Sequence, residues 1–270
     1  MTGILRPFTS SIGSKVVVAV TGLLLTGFVL AHLAGNLLIF LGRDWLNAYA
    51  HHLKSLGGLL WVARGGLLVI FLVHMAVALR LSLANRQARP ERYVHEEVMQ
   101  ATWASRNMAL TGLVLLAFVA FHLAHFTAGL THNASTQYDG SGKALPLQGP
   151  RSYLDLTDAL HAGSDGVKSW APETGKRLST IPYLGEEYRH DVYSMVVNGF
   201  RDPVTSLTYL IAMAFLGLHL WHGGSSMLQT LGLNGRAWFD AVSRVGPVIA
   251  CLVVAGNCAI VLSVWLGVVG

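Results

Sequence analysis

Four histidines, His32, His74, His122 and His219, each stand inside a different apolar stretch of this chain. An imidazole in a hydrocarbon environment is costly, and an ionisable group there marks a functional site by default. One such residue reads as a core histidine with a satisfied hydrogen bond; four, one per stretch, ask for a shared reason. Imidazoles used two at a time suit the axial ligation of haem iron. A haem needs two protein ligands and an apolar slot for its macrocycle. A zinc ion takes three or four ligands, often with carboxylate support, and no Asp or Glu lies inside any of these stretches. No Cys-x-x-Cys-His occurs, so a haem here would carry no thioether links. Cys251 and Cys258, seven apart in the last stretch, read as small hydrophobes.

The elements that position these histidines follow from composition. The chain is 53% hydrophobic and 12% charged, with a mean hydropathy of +0.50; a soluble domain carries about 25% charged residues. Five stretches, 16–41, 61–83, 108–130, 203–228 and 245–269, reach the roughly 20 residues that a bilayer crossing takes. The first is too long for a signal-peptide core and reads as a retained span. The expected fold is therefore all-α and integral to a membrane: one domain over 1–270, with five transmembrane helices in a bundle. Basic residues set the orientation. Arg6 and Lys15 precede the first span; Arg80, Arg86, Arg89, Arg92 and Arg106 fill the second loop; Arg236 and Arg244 lie in the fourth. The amino terminus is expected inside and the carboxyl terminus outside. The long loop 131–202 is then outside, as an irregular, partly ordered cap. The charge of +5 and pI near 9.4 need no nucleic acid.

Depth pairs the histidines. On outward-running spans, His32 lies 16 residues and His122 14 residues past the inner end, roughly 21–24 Å at 1.5 Å per residue. On inward-running spans, His74 and His219 each lie 9 residues before the inner end, roughly 14 Å. His32 and His122 share an outer level; His74 and His219 share an inner one. Gly22, Gly27, Gly35, Gly112, Gly217 and Gly223 offer room for a flat macrocycle or for close helix packing. His125 follows His122 by three residues and His222 follows His219 by three, so on spacing either member of each pair could ligate, the other bonding a propionate, a carbonyl or water. His51, His52, His95, His132, His161 and His190 read as ordinary polar residues of loops and interfaces, with His51 and His52 at the outer mouth. Arg64 is the leading candidate to meet a haem propionate, followed by Ser14, Trp103 and Arg106 on the inner side. Asn36, Tyr49, His51 and Arg64 are the candidate donors to a quinone.

The segments Ala31-His32-Leu33-Ala34-Gly35-Asn36, Val73-His74-Met75, Phe121-His122-Leu123-Ala124-His125-Phe126 and Leu218-His219-Leu220-Trp221-His222-Gly223 carry a family likeness. Together with Leu59 to Leu67 and Ser226 to Gly232, they resemble the cytochrome b membrane anchor of succinate:quinone oxidoreductases, in its single-chain, five-helix, di-haem class. Succinate dehydrogenases and fumarate reductases share this anchor. The resemblance implies two haem b groups with His32, His74, His122 and His219 as iron ligands. It favours His219 over His222, because a glycine follows four residues later, and His122 over His125. It implies an electron-transferring, quinone-reactive subunit of an enzyme whose partners are a flavoprotein and an iron–sulfur subunit. It also implies a membrane quinone, menaquinone in preference to ubiquinone, and a bacterial cytoplasmic membrane. Lys15, Arg86, Arg89, Arg92 and Arg106 would serve to dock the iron–sulfur subunit. Some fumarate-reducing members carry glutamates near the outer end and on the fourth helix. This chain has no acid in the fourth span and only Asp44 in the first loop, so no proton path through a buried carboxylate is expected.

Two other readings are compatible with the histidines. One is a di-haem cytochrome b of another quinone-linked enzyme, of the hydrogenase, formate dehydrogenase or nitrate reductase type, which pairs its ligands differently along the chain. The other is a metal transporter built on the two His-x-x-His pairs.

Overall fold

The computed structural model describes residues 10–88, 102–128 and 192–270. The loop arginines Arg89 and Arg92, the histidines His95, His132, His161 and His190, and residues 131–191 of the third loop lie outside them. Every element among the described residues is helical. The long helices are α1 (Ser11–Asn36), α3 (Gly58–Gln87), α4 (Met108–His122), α6 (Pro203–Thr230) and α7 (Phe239–Trp265). With their flanking turns these are the five segments long and apolar enough to cross a membrane. Two shorter helices, α2 (Arg43–Ser55) and α5 (Val192–Arg201), accompany them.

All of the long helices but α4 run past at least one end of their apolar windows. α3 continues four residues beyond Leu83 through Ala84-Asn85-Arg86-Gln87, and α7 begins at Phe239, ahead of the window. Polar residues of good helix propensity extend a helix that hydropathy alone would end. α3 also shows why a lipid setting suits these helices. Of its thirty residues only Val77 is buried, while Leu68, Val69, Leu72 and Leu79 are exposed. Apolar surface on this scale has no place in water.

Two stretches expected as loop are helix. α2 fills most of the first loop and is bounded by Gly42 at φ +105° and Gly57 at φ +54°, values that favour glycine. α5 makes the end of the 131–202 stretch helical: residues 192–201 bury Val192, Tyr193, Met195, Val197, Asn198, Gly199 and Phe200. Its start is capped from a distance, since the Asn47 side-chain oxygen of α2 accepts the Tyr193 N–H at 2.9 Å. Asp202 then caps α6, its Oδ2 accepting the Thr205 N–H at 2.7 Å, and Pro203 opens that helix where no N–H is needed.

Tertiary contacts divide the chain into two compact units. The first gathers Met1–His32, Trp61–Leu116 and Ala212–Ala255. In it α6 meets α7 at glycines: a Cβ on Gly224 would stand 2.8 Å from Gly246 Cα, and one on Gly246 would collide with the Trp221 carbonyl. Pro247 cannot donate to the Ser243 carbonyl four residues back. The Ser225 hydroxyl donates to that carbonyl instead, at 3.0 Å, and accepts the Gly246 N–H at 3.0 Å. A stranded carbonyl in hydrocarbon would cost several kcal/mol. The second unit gathers Leu33–Leu60, Ala117–Ile211 and Gly256–Gly270. There Tyr49 packs on Gly35, Leu33 packs on Gly256, and the Arg43 guanidinium stands 5.4 Å from the Tyr193 ring centre.

Candidate functional site

The first unit brings His74 of α3 and His219 of α6 close enough to interact electrostatically. Each ring is held in the same way by a Thr-Gly pair from a neighbouring helix. Thr21 Oγ1 of α1 lies 2.9 Å from His74 Nδ1, and Thr111 Oγ1 of α4 lies 3.1 Å from His219 Nδ1. The adjoining glycines face the same rings: a Cβ on Gly22 would stand 3.3 Å from His74 Cε1, and one on Gly112 would stand 3.6 Å from His219 Cε1.

The threonine protons decide the tautomers. Thr21 donates its hydroxyl proton to the Val17 carbonyl at 2.7 Å, and Thr111 donates to the Met108 carbonyl at 3.0 Å. Each oxygen is left to accept from the imidazole, which puts the ring proton on Nδ1. With Nδ1 protonated, Nε2 carries the lone pair. Fixing a ring nitrogen by a hydrogen bond to its partner nitrogen is how metal-ligating histidines are oriented. His222, also part-buried, stands one turn further along α6 and interacts electrostatically with His219.

The second unit holds a different cluster. Past His122, α4 loosens into a π turn over Leu123–Thr127, closed by the Ala128 N–H to the Leu123 carbonyl at 2.7 Å. Such turns gather at functional sites and re-aim the side chains they carry. Here both His122 Nδ1 and His125 Nδ1 come to 3.1 Å from the same Tyr209 hydroxyl of α6. Phe118, Phe121, Phe126 and Phe200 surround the Tyr209 ring edge-on, with centroids 4.9–5.9 Å away. His125 is fully buried, and its Nε2 has no hydrogen-bond partner among the described residues. α5 walls it in: a Cβ on Gly199 would stand 3.0 Å from His125 Nε2 and 2.9 Å from Phe126. Asp202, at the start of α6, interacts electrostatically with His125. Its carboxyl is held below its ordinary range, chiefly by the Thr205 hydroxyl and then by the Thr205 N–H.

The remaining candidates are dispersed. His32 belongs to the first unit, is exposed and stacks on Phe28 with centroids 5.5 Å apart. Arg64, in the same unit, lies over the Trp61 ring at 4.9 Å. Asn36, Tyr49 and His51 are half-buried in the second unit. Tyr49 and His51 are two residues apart on α2, about 200° around the helix, so they do not share a face. Ser14 is buried, while Trp103, Arg106, Lys15, Arg80 and Arg86 are exposed in the first unit, where Asp240 is the one acid among the described residues. Among the described residues no three His, Cys, Asp or Glu side chains gather as ligands for a bare metal ion.

Three residues that sequence reading missed carry much of this geometry: Thr21, Thr111 and Tyr209. A signal existed for the first two, as Thr-Gly pairs inside apolar spans. Nothing local marks Tyr209. The fold and its apolar helices define a multi-pass helical membrane protein. Comparison with protein-family models, characterised proteins and solved structures gives no match to this chain.

Proposed function

We propose that this chain is a di-haem cytochrome b that carries electrons between a peripheral redox partner and membrane quinone, as the anchor of a succinate:quinone oxidoreductase. The observation that carries the reading is the matched pair of threonine–histidine bonds in the first unit. Two neutral imidazoles on α3 and α6 are held with Nδ1 protonated and Nε2 available, close together, in an apolar setting without a carboxylate. That donor set suits a haem iron, which the Nε2 atoms of His74 and His219 would hold. The pairing of the second and fourth spans is also the one the family resemblance implies for the inner haem. For an outer haem the resemblance implies His122 and His32, which depth along the sequence sets at one level.

A bound haem supplies one-electron storage between ferric and ferrous iron. The chain's own residues do the rest. Thr21 and Thr111 hold each imidazole in orientation, and their acceptance of the Nδ1 protons raises ligand basicity. Gly22 and Gly112 keep bulk away from the ring edges. The long apolar helices exclude water. Lys15, Arg86 and Arg106 give the first unit an exposed basic surface suited to an acidic iron–sulfur subunit, and Arg64 is the proposed partner of a propionate. Menaquinone, the flavoprotein and iron–sulfur subunits and a bacterial cytoplasmic membrane follow from the resemblance and belong to the same proposal. Asn36 and Tyr49 are proposed for the quinone, with His51 on another face of α2.

Purification of the native membrane complex tests the reading. Copurified flavin, two b-type haems per chain and reduction of both haems by succinate are the expected results. A preparation with haem that hydrogen or formate reduces, and succinate does not, would assign the chain to another quinone-linked enzyme. A preparation without haem would end the proposal.

A further inference from the structure

The second unit places one phenol between two imidazoles, and this constrains both. Tyr209 has a single hydroxyl proton, and its oxygen lies 3.1 Å from Nδ1 of His122 and 3.1 Å from Nδ1 of His125. If both nitrogens donated to it, the phenol proton would have no acceptor among the described residues, so it donates to one and accepts from the other. The two histidines therefore carry opposite tautomers. One has its proton on Nδ1 and a lone pair on Nε2, as an iron ligand requires. The other has its proton on Nε2 and cannot ligate through that atom.

Room decides which is which. The unpartnered Nε2 of His125 is buried in either tautomer, so it does not choose between them. That nitrogen faces Gly199 so closely that even a methyl group there would stand 3.0 Å away, and the His125 ring stacks on Phe126 with centroids 3.9 Å apart. A macrocycle has no approach to it. His122 is only part-buried, and its ring meets Phe118, Phe126 and Tyr209 at centroid distances of 5.9 Å.

We propose that Tyr209 is a positioning residue that selects His122 as the ligand: its oxygen accepts the His122 Nδ1 proton while its own proton goes to His125 Nδ1. This rests on the haem reading above. His125 then works through Tyr209. By drawing on the phenol proton it makes the phenol oxygen a better acceptor, since linked hydrogen bonds strengthen one another. A stronger acceptor gives the His122 imidazole more electron density and favours ferric over ferrous iron.

The test is a redox titration of the native complex with Tyr209→Phe and with His125→Phe, with haem counted in each. Phenylalanine at 209 keeps the aromatic contacts to Phe118, Phe121, Phe126 and Phe200 and removes only the oxygen. Tyr209→Phe is expected to keep two haems and to raise one midpoint potential while leaving the other unmoved. A tenfold change in the ratio of ferric to ferrous affinity appears as about 59 mV for one electron. His125→Phe is expected to keep both haems and to move the same potential in the same direction by less. Two bound haems with no shift in Tyr209→Phe would overturn the proposal, and so would loss of a haem in His125→Phe. If Tyr209→Phe itself loses one haem, His125→Phe decides, because it keeps the phenol and must keep both haems. Absence of haem from the unaltered complex would instead remove the haem reading on which the proposal rests.

Discussion

The two units use hydroxyl groups on histidines in opposite ways. In the first, each histidine has a threonine of its own, and each threonine has already given its proton to a backbone carbonyl. The two threonine bonds share no group, and both rings end in one tautomer. In the second, two histidines share one tyrosine, whose single proton forces them apart in role. On the proposed haem reading, the first arrangement makes two equivalent ligands and the second makes one ligand and one accessory. A histidine count cannot tell these cases apart; what separates them is where each hydroxyl proton goes.

Removing a histidine gives the largest effect. His74→Ala is expected to reduce b-type haem from two per chain to one, measured by pyridine hemochrome. His122→Ala should do the same through the other haem, whereas His125→Ala should leave two. Removal of a haem by both His122→Ala and His125→Ala would break the asymmetry assigned to the second unit.

The threonines come next. Thr21→Val and Thr111→Val keep shape and lose the acceptor. Loss of an outer-shell partner costs about 10–100-fold in metal affinity, so both variants should release haem faster on dilution into detergent with a haem scavenger. The two should be alike, since the bonds are alike. Unchanged release in both would mean that the threonines do not orient ligands.

Glycine substitutions probe packing. Gly199→Ala would press a methyl group against His125 and Phe126 at 2.9–3.0 Å inside a filled aromatic cluster, and overpacking of this kind costs about 1–3 kcal/mol. Gly112→Ala meets His219 Cε1 at 3.6 Å, an ordinary contact. The thermal midpoint of the solubilised chain should fall for Gly199→Ala and hold for Gly112→Ala. Equal midpoints would show that α5 does not wall in His125 as described.

The smallest effect concerns the cap at Asp202. Its folded pKa lies below the ordinary 3.8, chiefly through the Thr205 hydroxyl and N–H. The stabilisation is therefore present above that pH and fades as pH falls through the folded value. Asp202→Asn keeps a capping oxygen and removes the titration. The midpoint difference between the two proteins should be constant from pH 8 to about pH 5 and change only on further acidification. Because the carboxyl faces solvent, the change should be small.

The sequence carried the five long helices because unbroken apolar runs leave few alternatives, and helix rise, converting residue number into depth, set His74 and His219 at one level. α2 and α5 were harder. α2 mixes Arg, Asp, Asn, His and Lys with its apolar positions, and hydropathy reads that as loop. α5 did carry a helical pattern in Val192, Met195, Val196, Gly199 and Phe200, hidden by the length of the segment around it. The π turn at Leu123–Thr127 was not legible, and with it the meeting of His122 and His125 at one hydroxyl. An ideal α-helix puts residues three apart on one face, but it does not say which nitrogen meets which oxygen. The proton count at Thr21, Thr111 and Tyr209 depends on atoms brought together from different helices.

The central claim is that His219, oriented by Thr111, binds iron and that its neighbour His222 does not. Haem stoichiometry in His219→Ala beside His222→Ala tests it most directly. The account predicts one b-type haem per chain in His219→Ala and two in His222→Ala. Two haems in His219→Ala, with one in His222→Ala, would contradict it.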